Sequence, residues 1–80
     1  MSFKVVKTCN EGGRQFFQVS SGMKLFGVWL TDGAEPLVQK IVIPFDESAS
    51  NRYLNVKDRS IRAAVLKAVD EFKREHDETH

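Results

Sequence analysis

The stretch from Met23 to Phe45, MKLFGVWLTDGAEPLVQKIVIPF, decides how the fold is read. It holds the only Trp and the densest run of β-branched and aromatic residues. Such side chains suit a pleated, half-buried surface, so the two arms read as strands. Between them, Thr31 to Pro36 carries Asp, Gly and Pro, each a turn former for its own steric reason. In the first arm, Met23, Leu25 and Trp29 point one way around Gly27, while Phe26, Val28 and Leu30 point the other. A strand apolar on both faces should be covered on both faces. The second arm, Leu37 to Phe45, repeats the pattern more weakly, and Pro44, which has no N–H for a ladder, should mark its end.

Upstream, Phe3 to Cys9 is β-branched and loosely alternating, with an ambiguous inner face, and stops at the turn chemistry of Asn10-Glu11-Gly12-Gly13. Arg14 to Ser20 resumes strand character at once, so the glycines read as a hairpin turn. A phosphate-cradling loop would need a helix after them. Ser21-Gly22 is a second short turn, and connections of hairpin length imply an antiparallel meander. Cys9 reads as a half-buried small hydrophobe with no charged neighbour to activate it.

Downstream, residues 46–55 are small and polar, a loop by composition, with Tyr53 and Leu54 pinning its far end. From about 56 to 75 the period turns helical: Ile61, Ala64, Val65, Ala68, Val69 and Phe72 form one apolar stripe. Asn55 or Asp58 is placed to cap its start, and Lys67 with Glu71 and Asp70 with Arg74 are spaced to pair along its outer face. Residues 76–80 should fray. The expectation is one α+β domain over residues 1–80: a four-stranded antiparallel meander followed by one C-terminal amphipathic helix.

Eighty residues with net charge +1 lack the basic excess of a typical duplex-binding domain. A domain this small buries only about 60% of the surface its unfolded chain exposes, so a partner that enlarges the core would be valuable. The sole cysteine allows no internal disulfide, and no apolar run is long enough for a membrane span. With no signal-peptide pattern at the start, a cytoplasmic location is expected. One helix of about twenty residues covers a band about 10 Å wide, enough for one sheet face only. Leaving some 400 Å² of the other face wet would forgo about 10 kcal/mol of gross burial, comparable to the net stability of a domain this size.

Catalytic and metal chemistry are both weakly served. His76 and His80 have the i, i+4 spacing of a zinc pair, but they sit among acidic residues at the chain end, and a closed site wants four ligands. No nucleophile and base adjoin, and there is no Walker motif, dinucleotide fingerprint or cysteine pair. The expectation is therefore a non-catalytic protein without cofactor or metal. Its first reading is a regulatory module acting by protein contact, as a homodimer or docked on a larger complex, with Phe16, Phe26, Val28, Trp29 and Leu30 at the interface. Cations gather around the helix start, Arg52, Lys57, Arg59 and Arg62. There they oppose the helix dipole unless an anion lies near, and Lys24 and Lys40 join them as anion or nucleic-acid candidates.

The β-β-β-β-α order is also similar in outline to the PC4-like transcriptional coactivators, dimers that bind single strands. That resemblance implies the alternative: a single-stranded nucleic-acid binder that stacks bases on sheet aromatics while Lys4, Lys7, Arg14, Lys24 and Lys40 follow phosphates.

Overall fold

In the computed structural model, residues 2–46 and 48–77 are described. The chain runs β1 (Lys4–Glu11), β2 (Arg14–Ser21), β3 (Lys24–Thr31), β4 (Leu37–Val42), β5 (Arg52–Asn55) and α1 (Arg59–Asp77). All neighbours pair antiparallel in the order β1-β2-β3-β4-β5, so β3 is the central strand. The expected meander and C-terminal helix are present, with a fifth strand added.

Local chemistry explains each boundary. Gly12 and Gly13 both have positive φ (52° and 82°), the backbone of a two-residue turn that matches strand twist, and they close the pair Glu11↔Arg14. Strand β4 ends at Val42, short of the expected Phe45, just before Pro44. The segment expected to be loop to residue 55 instead supplies β5. Ladder pairing with β4, not burial, holds Tyr53 and Leu54, which are 49% and 46% exposed. Beyond β5, the Val56 N–H donates to the Val38 carbonyl (3.1 Å), which keeps that residue extended and delays the helix to Arg59. Asp58 is the cap: its Oδ1 accepts the N–H groups of Ser60 (2.8 Å) and Ile61 (3.2 Å). Asn55 is engaged elsewhere, accepting a bond from the Gln39 side chain at 3.0 Å.

The helix lies on the face formed by Val5, Phe17, Val19, Phe26, Val28 and Val38. Val65 and Val69 of α1 complete a closed core, with Phe3, Leu30, Ile61 and Phe72 around it. Phe72 meets Phe17 edge-on at 6.1 Å. The Arg62 guanidinium donates to the Pro36 carbonyl (2.9 Å), tying the first turns of α1 to the β3–β4 connection. Of the two helix pairs expected, Asp70–Arg74 closes, at 3.1 Å. His76 stacks on Phe72 within α1, whereas residues 78–80, including His80, lie outside the described residues, as does Glu47 of the polar loop.

The ambiguous face of β1 is resolved by a bulge. Register slips by one between Val5 and Lys7, so Val5 faces the helix opposite Val19 while Lys7 and Cys9 face away from it, opposite Gln18 and Phe16. Cys9 is exposed there, not half-buried as expected, because β1 is an edge strand and the helix lies on the other side.

Candidate functional site

Strand register places four rows of side chains on the face opposite the helix. The first row runs Lys4, Ser20, Leu25, Ile41, Tyr53, and the second Lys7, Gln18, Gly27, Gln39, Asn55. The third is Cys9, Phe16, Trp29, Leu37, and the fourth Glu11, Arg14, Thr31. Among the described residues no element lies across this face. Leu37 is 41% and Tyr53 49% exposed, and Ile43, just past β4, is 63% exposed. Phe16, Leu25 and Trp29 are half-buried.

Part of the apolar excess is met within the face itself. A Cβ on Gly27 would lie 2.9 Å from Cε1 of Phe16 and 3.4 Å from Cδ1 of Ile41, so those two side chains close over the space that only glycine leaves. Ile41 is buried as a result. The Phe16 ring then packs against Trp29 with centroids 4.5 Å apart and planes tilted by 46°, and the Arg14 guanidinium sits 5.6 Å from the Trp29 centroid. Arg14, Trp29 and Phe16 thus form one ordered run across the middle strands.

This geometry corrects the expected interface. Phe16 and Trp29 belong to the open face. Phe26 and Val28 are buried beneath α1, and Leu30 packs against that core, so none of these three can meet a partner on the open face. Leu37, Tyr53 and the amide row of Gln18, Gln39 and Asn55 were missed, and Arg14 was expected only as a phosphate contact. Their signal was the alternation of β4 extended across the sheet, which needs the register and the fifth strand.

The expected basic cluster divides. Lys24, Lys40 and Lys57 line a shallow groove of about 270 Å³ on the helix side of the sheet, floored by Phe26, Leu54 and Ile61. Arg52 lies on the same side, opposite Val42, and Arg59 begins the helix. Arg62 is engaged by Pro36 and leaves the cluster. No acid occupies the first turn of α1, whereas toward its other end Asp70, Glu71 and Glu75 alternate with Lys73 and Arg74, so the basic excess lies at the helix start. Among the described residues, no three His, Cys, Asp or Glu side chains group as metal ligands, and no helix is long and apolar enough to cross a membrane. Comparison with protein-family models, with curated proteins and with solved structures gave no match.

Proposed function

We propose that this chain is a small non-catalytic binding module that acts by protein contact through the open face of its sheet. The observation that carries this reading is a five-stranded face with Phe16, Trp29 and Leu25 half-buried, Leu37 and Tyr53 exposed, and, among the described residues, no element laid over them. Aromatic rings packed on one another, as Phe16 is on Trp29, have less entropy to lose on docking, which suits them to anchor an interface. The test compares baits in extract of the native host. A partner, whether another protein or the chain itself, should be retained by the natural chain and by a variant altered on the outer helix surface, and lost from Leu37→Lys. Equal retention by all three would refute the reading.

One observation favours a second reading. Lys4, Lys7 and Arg14 share the open face with Phe16 and Trp29, the combination of cations and stacking platforms that single-stranded nucleic acids use. A salt titration with an oligonucleotide separates it, since phosphate-led binding must weaken steeply as salt rises. Absence of binding at low ionic strength would end it.

A further inference from the structure

Resting on the protein-contact reading, we infer that the occupant of the open face is a second copy of this chain, stacked face to face about a two-fold axis that runs along β3. The sheet has an odd number of strands with β3 in the centre, so rotation about that strand lays β1 over the partner's β5 and β2 over its β4, and keeps each row on its equivalent. In the first row, Leu25 then faces Leu25, and Ile41 faces Ser20 of the other copy. In the second, Gly27 faces Gly27 and Gln18 faces Gln39, an amide against an amide that can exchange donor and acceptor. In the third, Trp29 faces Trp29 and Phe16 faces Leu37.

Charge selects this axis over the other in-plane choice. A two-fold across the strands through Gly27 would also match apolar rows, but it would set Lys7 directly over Lys7. Rotation along β3 instead brings Lys4 over Tyr53 and Lys7 over Asn55, an aromatic ring and an amide that both accept a cation. Area agrees. Five strands spaced about 4.8 Å apart and about seven residues long present roughly 550 Å², and side-chain relief brings this close to the ~800 Å² per partner of a stable interface. The result is a sandwich of two sheets about 10 Å apart, strands nearly aligned, with both helices outside.

The purified chain tests this by sedimentation across the micromolar range. A reversible dimer is expected, with self-affinity reduced at least about ten-fold in Leu37→Lys and Tyr53→Lys and unchanged in Ala63→Lys on the exposed helix surface. Circular dichroism confirms that each variant is folded. For the axis, Gln18→Cys and Gln39→Cys are made in a Cys9→Ser background and treated with a short bis-maleimide. The mixture should cross-link and Gln18→Cys alone should not, whereas self-cross-linking of Gln18→Cys would overturn the axis. A chain monomeric at every concentration overturns the second copy and leaves the face reading to stand or fall on the Leu37→Lys bait. A dimer untouched by Leu37→Lys and Tyr53→Lys likewise overturns the stacked second copy, and the Leu37→Lys bait then decides the face reading alone.

Discussion

Adding one methyl group at the centre of the open face should undo its order. In Gly27→Ala the new Cβ would sit 2.9 Å from Cε1 of Phe16. Carbon contacts settle near 3.5–4.0 Å, so the ring must lift by at least about 0.6 Å. In the single chain Phe16 is half-buried and, among the described residues, no element lies above it, so the ring moves toward solvent and not into the backbone, and it leaves Trp29 as it goes. The aromatic pair is worth about 1 kcal/mol and the lost ring burial, some 40 Å², about another 1 kcal/mol. Against this, Ala costs about 0.5–1 kcal/mol less than Gly to fix in a strand. The net is a destabilisation of about 1 kcal/mol, a fall in melting temperature of about 4–8 °C for a domain of this length. Thermal unfolding followed by far-ultraviolet circular dichroism, at a concentration where both proteins share one association state, gives the stability. Trp29 emission reports the ring, and should move to longer wavelength as Phe16 withdraws. An unchanged or raised melting temperature with unchanged emission would refute the account of Gly27 as a seat for Phe16.

Three further outcomes follow from the contacts that fix the helix and the polar loop. Asp58→Ala, which leaves the Ser60 and Ile61 N–H groups uncapped, should cost about 1 kcal/mol in denaturant unfolding, while Asp58→Asn keeps an acceptor and should cost a few tenths. Equal effects would locate the role of Asp58 in its charge instead. Arg62→Ala strips a part-buried donor from the Pro36 carbonyl and should cost about 1–2 kcal/mol, with Arg62→Lys recovering little because an ammonium lacks the planar fork. A neutral Arg62→Ala would show that water replaces the bond. The Asp46 carboxyl is held below its ordinary value first by the Ser48 backbone N–H (3.0 Å) and then by the Ser48 hydroxyl (2.8 Å). Its ordering of the loop is therefore present above the unfolded value and lost only as pH falls through the lowered one. Carboxyl carbon NMR should show Ser48→Ala raising the Asp46 titration part of the way back, and no movement would remove the hydroxyl from the account.

The strand character of β3, a dense β-branched and aromatic run apolar on both faces, and the helical stripe from Ile61 to Phe72 were legible because each is a local pattern, repeated often enough to outweigh any single residue. Which face the helix takes was not local. It depends on the bulge after Val5, which turns a weak alternation into Val5 inward with Lys4, Lys7 and Cys9 outward, and a bulge is invisible until the partner strand is known. β5 escaped for a related reason. Arg52 to Asn55 has only four residues and buries none of them, so its strand character comes from β4 rather than from its own composition. The interface residues failed on the same point: Phe26 and Val28 are as apolar as Trp29, and only the packing of α1 decides which set is spent inside the domain. The basic groove was half legible, since Lys57 stands out beside the helix start while Lys24 and Lys40 reach it from two strands.

Because the second copy and a single strand of nucleic acid would use the same aromatics, the two cannot be held at once, and their competition has a measurable size. Only the monomer would expose Phe16 and Trp29, so apparent oligonucleotide affinity scales with the monomer fraction. For a dimer dissociation constant of about 1 µM, that fraction is about 50% at about 1 µM chain and about 7% at about 100 µM, so the apparent affinity should fall about sevenfold between them. Binding in the groove of Lys24, Lys40 and Lys57 would behave differently, because that groove lies on the helix side and stays open in the stacked dimer. Oligonucleotide titrations at two chain concentrations, at one low ionic strength, therefore assign any nucleic-acid contact to a face. Affinity that falls with chain concentration places it on the aromatics, and affinity indifferent to chain concentration, in a chain shown to dimerise through Leu37, places it on the lysines.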